Sequence, residues 1–465
     1  MKMSPKHNNK QSIVYVFDSL RRDYVGCYDS DVNTPNIDQV AEDGVKFDQV
    51  QSQGIWTVPS SGSIFTGLYP EAHQSNQFSQ PIDSGLPRIT DGPNAAGAKT
   101  ICFSTTNVVS KERGFSNGFD EFHQLGKDGA GLEPDIGERL NEKLLPRIRE
   151  LSDTDFFILV WTLGTHHPYV TPDTSFTHEF IDGDQETMRR GELSDFSVVD
   201  EMYRENIEYC DSLFGELLST LKSENIYNQT DIFVTSDHGE VFTEHARLEH
   251  SNSAIQKALK YLIPKETRIY YSLFDRSAFV GHQAIYPYQE LISVPLVAKF
   301  AESETSKQGI DQSPRELIDI AATISQIYQG SSDDLQGHDL RDESSRQYLF
   351  SSSQITGGQC IYRSVTDGDR KLLSMDLDSI DFDDWTDPRT IQSIFSYAVA
   401  KTEILTSLDA QEKSIEETKN LERLQSVLNE HVERCREIND DFSNEDSEVD
   451  LADETMKQLE DLGYK

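Results

Sequence analysis

Two motifs in this sequence combine residue types that can hold a metal ion. Asp18 directly follows an apolar segment, and Asp237, His238 and Gly239 directly follow another. A carboxylate beside an imidazole offers a hard oxygen and a borderline nitrogen to one ion, and the glycine lets the turn approach that ion closely. By itself, Asp18 is also typical of a helix-capping residue, and His238 of a satisfied turn histidine. The pair at 237–238 is the more specific signal.

A third motif has the features of a nucleophile. Thr57 lies among small hydroxyl residues and shortly before Pro59, a pattern typical of the first turn of a helix. Backbone N–H groups and the helix dipole favour an anion at that end of a helix. A hydroxyl there suits attack on a phosphate or sulfate ester. From the local sequence alone, however, the simpler interpretation of Thr57 is an N-cap residue.

Short apolar runs alternate with amphipathic helical patterns over most of the chain. Five runs predict strands, at 13–17, 100–104, 155–162, 231–235 and 294–300. Apolar residues recur at spacings of three and four over 136–151 and 203–221, which predicts helices. This alternation predicts an α/β fold with a mostly parallel central sheet flanked by helices. Sites in such sheets form beyond the carboxyl ends of the strands, where the Asp18 and Asp237 motifs lie.

The C-terminal part of the chain changes in character. The sequence predicts a large domain over 11–330, a small α+β subdomain with short strands over 331–400, a helix over 401–439 and a solvated acidic tail over 440–465. Four apolar residues mark one face of that helix: Leu421, Leu424, Leu428 and Val432. Such a stripe favours packing on the protein's own domain over packing on a partner.

The charge of the chain limits its partners. The 465 residues include 42 basic and 81 acidic side chains, which gives a formal net charge of −39. A field this negative argues against binding to nucleic acid. Because the acids are spread over the whole chain, the composition favours a halophilic protein, as in haloarchaea, over an acidic mesophilic one. Five widely spaced cysteines indicate no disulfide framework.

No apolar run has the length of a membrane span or of a signal-peptide core. The longest, at 156–161, has the length of a strand, and the run near the N-terminus covers only 13–17. The sequence therefore predicts a cytoplasmic protein with no membrane span.

Several blocks of sequence surround these motifs. They include TPNID at 34–38, T-x-PS followed by TGLYP-x-x-H over 57–73, and SDHGE at 236–240. Their residues and their order resemble those of the sulfatase family of the alkaline phosphatase superfamily, and the similarity extends over about 13–300. The resemblance implies a sulfatase-like fold with a small C-terminal β-containing subdomain, and an enzyme that hydrolyses esters.

The resemblance also implies roles for individual residues. It places a metal site at Asp18, Thr57, Asp237 and His238, with Thr57 as the nucleophile. The other candidates match family blocks near the reacting ester. His166 and His282 would contact the transferring group or the leaving oxygen, and the substrate-binding candidates are His167, Asn107 and His245. The adjacent His167 could take the place of His166.

Several positions depart from the family pattern. Thr57 stands where formylglycine sulfatases have the Cys or Ser that is oxidised to an aldehyde, and Thr is not a substrate for that oxidation. Ser61 replaces the Arg of the same motif, and Ser19 replaces the second Asp of the metal pair. Asn107 lies near the position of a missing active-site Lys. A Thr nucleophile is instead typical of phosphodiesterases and phosphotransferases of the superfamily.

Three functional hypotheses remain open. The first is a metal-dependent hydrolase or transferase of phosphate esters or diesters that acts through Thr57. The second is a sulfuric ester hydrolase that works without formylglycine, and the third is a non-catalytic member of the family that acts as a binding protein. The expected cofactor is one or two divalent ions, with Mn or Zn favoured over Ca because one ligand is an imidazole. The expected partner is a small anionic ester, such as one of a sugar or a lipid headgroup.

An insertion at 246–280 separates the last two blocks of the resemblance. It includes the aromatic residues Tyr261, Tyr270, Tyr271 and Phe274, and five basic residues fall within the 20 positions 257–276. The segment is equally consistent with a lid that meets an anionic substrate and with a surface loop whose charges pair with nearby acids.

Overall fold

The computed structural model describes about two thirds of the chain. The described residues are 9–126, 133–167, 169, 171–172, 197–242, 287–301, 308–343, 346–354, 361–376, 403–405, 414–415 and 418–442. Within these residues the chain forms a large sheet covered by helices and a smaller sheet toward the C-terminus.

The large sheet has eight strands. Their bounds are β1 (Gln11–Phe17), β2 (Val45–Gln51), β3 (Lys99–Ser104), β4 (Glu121–Gln124), β5 (Phe156–Thr162), β6 (Thr230–Ser236), β7 (Leu296–Lys299) and β8 (Gly309–Glu316). Their spatial order is β4-β3-β5-β1-β6-β7-β2-β8. Five of the seven neighbouring pairs are parallel, and β7 runs antiparallel to both of its neighbours. This topology confirms the predicted α/β fold with a mostly parallel sheet.

The described part of the chain also contains nine α-helices. Their bounds are α1 (Pro35–Asp43), α2 (Thr57–Thr66), α3 (Pro70–His73), α4 (Asp91–Ala95), α5 (Ile136–Glu150), α6 (Ser197–Ser223), α7 (Gln289–Ile292), α8 (Ile318–Ile327) and α9 (Thr418–Phe442). Residues of α1, α5 and α6 belong to the hydrophobic cluster on one face of the large sheet, and residues of α2 and α8 belong to the cluster on the other face.

Both faces of the large sheet are therefore buried, and this explains its sequence pattern. Along β1, Tyr15 and Phe17 enter one cluster, whereas Val14 and Val16 enter the other. Every residue of β1, β5 and β6 is buried. Central parallel strands of this kind are recognisable as unbroken apolar runs. No such run marks β2, β4 or β8, because polar side chains of each strand are exposed or half-buried.

The smaller sheet is antiparallel. Its strands are β9 (Leu349–Gln354), β10 (Ile361–Thr366), β11 (Lys371–Asp376), β12 (Glu403–Leu405) and β13 (Ser414–Ile415), and they lie in the order β13-β12-β11-β10-β9. Helix α9 covers this sheet. Leu424, Leu428 and Val432 form a hydrophobic cluster with Val365 and Leu372, so the apolar stripe of the helix packs on its own chain, as predicted.

The C-terminal helix begins later than predicted. Residues 403–405 and 414–415 are strands, and the helix starts at Thr418 rather than at 401. Strand β11 supplies backbone partners for 403–405, and this non-local pairing places the segment in the sheet. The helix ends at Phe442, within the predicted acidic tail, and residues 443–465 of that tail lie outside the described residues. None of the helices in the described ranges is both long enough and apolar enough to cross a membrane.

Candidate active site

Two neighbouring strands place the candidate metal-binding motifs at the same edge of the large sheet. Strands β1 and β6 are parallel partners, and their last residues, Phe17 and Ser236, are directly opposite each other. Asp18 follows the first and Asp237 follows the second. The two carboxylates therefore lie side by side beyond the carboxyl ends of the strands, where sites form in sheets of this kind.

Asp18, Asp237 and His238 form one buried cluster. Their potential ligand atoms all lie within 4.8 Å of one another. His238 Nε2 is 3.7 Å from Asp18 Oδ1 and 3.5 Å from Asp237 Oδ2. Because the backbone carbonyl of Gly239 lies 2.7 Å from His238 Nδ1 and can only accept, Nδ1 carries the ring proton. The lone pair of Nε2 is then directed at the carboxylates.

The carboxylate of Asp237 fits a cation. Its Oδ1 accepts the backbone N–H groups of Ser19 (3.1 Å) and His238 (2.9 Å). Its Oδ2 is buried and has no hydrogen-bond donor within the described ranges. Burial and the negative charge of Asp18 raise the pKa of Asp237 well above its ordinary value. A divalent ion between the two carboxylates would compensate both effects, so this donor set suits such an ion.

Thr57 is the first residue of α2, and its hydroxyl faces the cluster. The N-cap of that helix is Trp56, so Thr57 is not the N-cap residue that its local sequence suggests. Thr57 Oγ1 lies 3.3 Å from Asp18 Oδ2 and 3.2 Å from His238 Nε2. The side chain is fully buried. The structure thus brings all four predicted metal-site residues together.

Gly239 makes this arrangement sterically possible. Its N–H donates to the carbonyl of Leu291 at 2.7 Å. A Cβ atom at this position would lie 1.8 Å from the carbonyl oxygen of Glu290. Any side chain would therefore push the loop that carries Asp237 and His238 away from α7, so the glycine serves packing against this helix, and the predicted close approach to an ion stays a prediction.

Three supporting residues were missed by the sequence analysis. Trp161, at the end of β5, donates its indole N–H to Asp18 Oδ2 at 3.3 Å. Thr165 Oγ1 donates to the backbone carbonyl of Asp18, and Ser52 Oγ donates to that of Asp237, both at 2.5 Å. The only sequence signal for Trp161 is its position at the end of a buried strand, because its contact depends on β5 lying beside β1.

Two adjacent histidines, His166 and His167, are also predicted site residues. His166 is buried, and its Nδ1 donates to the carbonyl of His167 at 2.5 Å. It follows Thr165 directly and therefore lies beside the Asp18 loop. The ring of His167 packs edge-on against Tyr169, with centroids 5.4 Å apart. The catalytic role of His166 and the substrate-binding role of His167 stay predictions.

Asn107 lies toward another part of the sheet edge. It follows β3, which is separated from β1 by β5, and its Oδ1 lies 3.4 Å from Gln124 Nε2 on the edge strand β4. Its role in substrate binding also stays a prediction. Ser61, at the position of the family's Arg, is buried and donates to the carbonyl of Val58 within α2. His245, His282 and the insertion at 246–280 lie outside the described residues.

Comparison with known proteins identifies a family and two curated relatives for this chain. The family model described as Sulfatase matches residues 11–330. The N-acetylgalactosamine-6-O-sulfatase of Bacteroides thetaiotaomicron is 30% identical over 156 residues, which are 33% of this chain and 27% of that protein. The bis(5'-adenosyl)-triphosphatase ENPP4 of Homo sapiens is 22% identical over 279 residues, or 56% of this chain and 52% of that protein. The chain thus spans about a quarter and about half of the length of these two relatives.

A solved structure shares the fold of this chain. The phosphonate monoester hydrolase SpPMH from Silicibacter pomeroyi superposes with a TM-score of 0.62 at 16% sequence identity. The superposition covers 92% of this chain and 95% of that one. At this level of identity the similarity establishes the architecture, including the smaller C-terminal sheet, and leaves the chemistry to the residues of the site.

Proposed function

Because the chain belongs to the sulfatase family, we propose that it is a metal-dependent hydrolase of phosphate esters in which Thr57 is the nucleophile. The observation that carries this proposal is the position of Thr57 Oγ1, which lies 3.2–3.4 Å from both Asp18 and His238. A buried hydroxyl at the first residue of a helix, beside two carboxylates and an imidazole, has the arrangement expected of an activated nucleophile.

The side chains of this site divide the chemical work. Asp18, Asp237 and His238 would hold a divalent ion, which would act as a Lewis acid, lower the pKa of the hydroxyl and neutralise charge on the ester. Asp18 Oδ2, 3.3 Å from Thr57 Oγ1, is placed to accept the proton of the hydroxyl. Oγ1 then forms a bond to phosphorus while the bond from phosphorus to the leaving oxygen breaks. We assign protonation of that leaving oxygen to His166 or His282.

A covalent threonyl phosphate follows from this assignment. Water, or an acceptor hydroxyl in a transferase, attacks the phosphorus and releases Thr57 as an alcohol again. The donor set of two carboxylates, one imidazole and one hydroxyl favours Mn or Zn over Ca, and we propose one of those ions as the cofactor. The organic part of the substrate is proposed to be a sugar, since one relative is by name a sulfatase of an amino sugar. A lipid headgroup is the alternative that the family resemblance also implies.

Hydrolysis of a sulfuric ester without formylglycine is the second candidate. The identity of 30% to an N-acetylgalactosamine-6-O-sulfatase over a third of this chain favours it. Against it, Ser61 leaves a neutral hydroxyl at the position of the family's Arg, and that hydroxyl bonds within its own helix. A non-catalytic role is disfavoured because all of Asp18, Thr57, Asp237 and His238 are present and clustered.

The test is hydrolysis of nitrophenyl phosphate, bis(nitrophenyl) phosphate and nitrophenyl sulfate with added Mn, Zn or Ca in high salt. Thr57→Ala should lower kcat on the preferred phosphoester by at least about 10³-fold, and Thr57→Ser should retain part of the activity. Thr66→Ala is the matched control, because Thr66 lies in the same helix and its hydroxyl bonds to the carbonyl of Gly62. Turnover of the sulfate alone would favour the second candidate. Phosphoester turnover that survives in Thr57→Ala would contradict the proposed nucleophile.

We also propose that the protein is halophilic. With a net charge of −39, the folded chain repels itself, and salt screens this repulsion over about 10 Å at 0.1 M and about 3 Å at 1 M ionic strength. The melting temperature should therefore rise steeply between these salt concentrations. A melting temperature that does not depend on KCl would contradict this proposal.

A further inference from the structure

Ser19, next to Asp18, has an unusual backbone conformation. Its φ angle is +63°, in the left-handed region that favours glycine, and the residue is fully buried. A residue with a side chain is strained in this region, and such strain persists where the surrounding structure requires it. The strain points to a function of the serine side chain that glycine could not perform.

The contacts of Ser19 connect both metal-site carboxylates. Its N–H donates to Asp237 Oδ1 at 3.1 Å, and its hydroxyl donates to Asp18 Oδ1 at 3.1 Å. Its carbonyl accepts the hydroxyl of Tyr203, in α6, at 2.6 Å. A single residue therefore supplies a donor to each of the two buried carboxylates and is itself held from the adjacent helix.

These donors determine which carboxylate oxygens stay available to an ion. Asp237 Oδ1 is engaged by the N–H groups of Ser19 and His238, and this leaves the buried Oδ2 without a donor in the described part of the chain. Asp18 is fixed from two sides, at Oδ1 by Ser19 and at Oδ2 by Trp161. Donors of this kind orient metal ligands, and their loss typically weakens metal binding.

We propose that Ser19 is a positioning residue of the metal site, whose hydroxyl and N–H hold Asp18 and Asp237 in the geometry that binds the ion. It stands where the resemblance described above implies a second Asp of the metal pair, so this chain replaces a charged group by a neutral hydrogen-bond donor. The strained conformation directs the N–H of Ser19 at Asp237 and its hydroxyl at Asp18 at the same time. Glycine would avoid the strain but has no hydroxyl to donate to Asp18. The inference rests on the metal dependence proposed above.

The experiment measures binding of Mn²⁺ to the full-length protein by titration calorimetry, together with the melting temperature of the metal-free protein. Ser19→Ala removes the hydroxyl and keeps the strain. Ser19→Gly removes both, so its metal-free form should melt at a higher temperature than that of Ser19→Ala. Both variants should bind Mn²⁺ at least about tenfold more weakly than the wild type. Equally weakened binding in two variants that differ in stability cannot come from a general loss of structure.

Gln329→Gly is the matched control. Gln329 also has a positive φ, +60°, but lies beyond the end of α8, away from the metal site. This variant should gain stability without any change in Mn²⁺ affinity. If Ser19→Gly binds Mn²⁺ within twofold of the wild type, the positioning role is wrong even though the site binds metal. If the wild type itself binds no Mn²⁺, Zn²⁺ or Ca²⁺, the metal dependence fails, and the role of Ser19 fails with it.

Discussion

Two regions of this molecule each bury a pair of carboxylates, and the negative charge of the pair is balanced differently in each region. At the junction between the two sheets, the guanidinium of Arg346 forms ion pairs with both Glu316 and Asp319, and all three side chains are buried. At the edge of the large sheet, Asp18 and Asp237 face each other with His238 between them. The junction thus contains its own cation. The site has the same pair of carboxylates, arranged around a position that an external cation would fill.

The hydrogen bonds of the two regions reinforce this difference. Glu316 accepts the Tyr69 hydroxyl at Oε2 and the Phe350 N–H at Oε1, so both of its oxygens have partners. In contrast, Asp237 Oδ2 has no donor among the described residues. A fully satisfied carboxylate stabilises a fold, whereas a buried carboxylate oxygen without a donor is a candidate ligand. The comparison therefore distinguishes a charge cluster with an internal cation from a candidate site for an external one.

The largest effect is expected when the internal cation is removed. Arg346→Met leaves Glu316 and Asp319 buried without a counter-charge and should lower the free energy of unfolding by about 3–5 kcal/mol. Denaturant titration measures this loss. Arg423→Met is the control, because Arg423 pairs with Asp367 near the surface and should cost less than about 1 kcal/mol. Equal losses in the two variants would show that the ion pairs of Arg346 contribute no more to stability than an ion pair near the surface.

A pH titration tests the electrostatics of the junction. Burial raises the pKa of Glu316 to about 7 despite the charge of Arg346. A carboxyl whose folded pKa is raised favours folding at low pH, and this contribution is lost as the pH rises from about 4.5 to about 7. The free energy of unfolding of the wild type should therefore fall by about 3 kcal/mol relative to Glu316→Gln over this window.

The comparison with Glu316→Gln also removes an opposing contribution. Burial lowers the pKa of His431, which stacks on Phe350 in the same junction, to about 4. A histidine whose folded pKa is lowered makes the protein less stable as the pH falls. Because His431 is present in both the wild type and Glu316→Gln, its contribution cancels in their difference. A difference curve that is flat between pH 4.5 and 7 would show that Glu316 does not titrate there.

Matched charge removals should affect the free energy of unfolding differently in the two regions. Asp319→Asn weakens the ion pair of Arg346 and should lower the stability by about 2 kcal/mol. Asp237→Asn relieves the repulsion with Asp18, so the metal-free protein should not lose stability. The same variant should, however, lose the stabilisation by Mn²⁺, about 2.7 kcal/mol at 100 times the Kd in the wild type. Thermal melts with and without Mn²⁺ measure both quantities. A loss of stability in metal-free Asp237→Asn would contradict the proposed difference between the two regions.

The smallest expected effect concerns the choice of ion. Ser19→Asp adds a third carboxylate to the site and should shift the preference from Mn²⁺ toward Ca²⁺ by about tenfold in relative affinity, equivalent to about 1.4 kcal/mol. Competition binding of the two ions measures the ratio. Ser19→Asn, which has a similar shape and no charge, is the control. An equal shift in both variants would attribute the change to shape rather than to charge.

Much of the site could be predicted from sequence because its motifs are local. Asp18 and Asp237 directly follow buried strands, and Thr57 precedes Pro59 in a short run of hydroxyl residues. The resemblance to a known family added the roles of these residues. The same local reasoning treated Thr57 as an N-cap, and this interpretation was wrong because the helix begins at Thr57 itself and its hydroxyl points to side chains from two distant strands.

Two kinds of information about this protein thus have different physical origins. The sequence by itself determined the α/β class, the central strands and the residues able to bind a metal, because periodicity and residue type are properties of neighbouring positions. Only the tertiary structure decided that β5 and β6 flank β1, that Trp161 supports Asp18, that 403–405 joins a sheet and that Arg346 lies between two carboxylates. Each of these depends on contacts between residues far apart in the chain, and no local pattern encodes which distant partner is chosen.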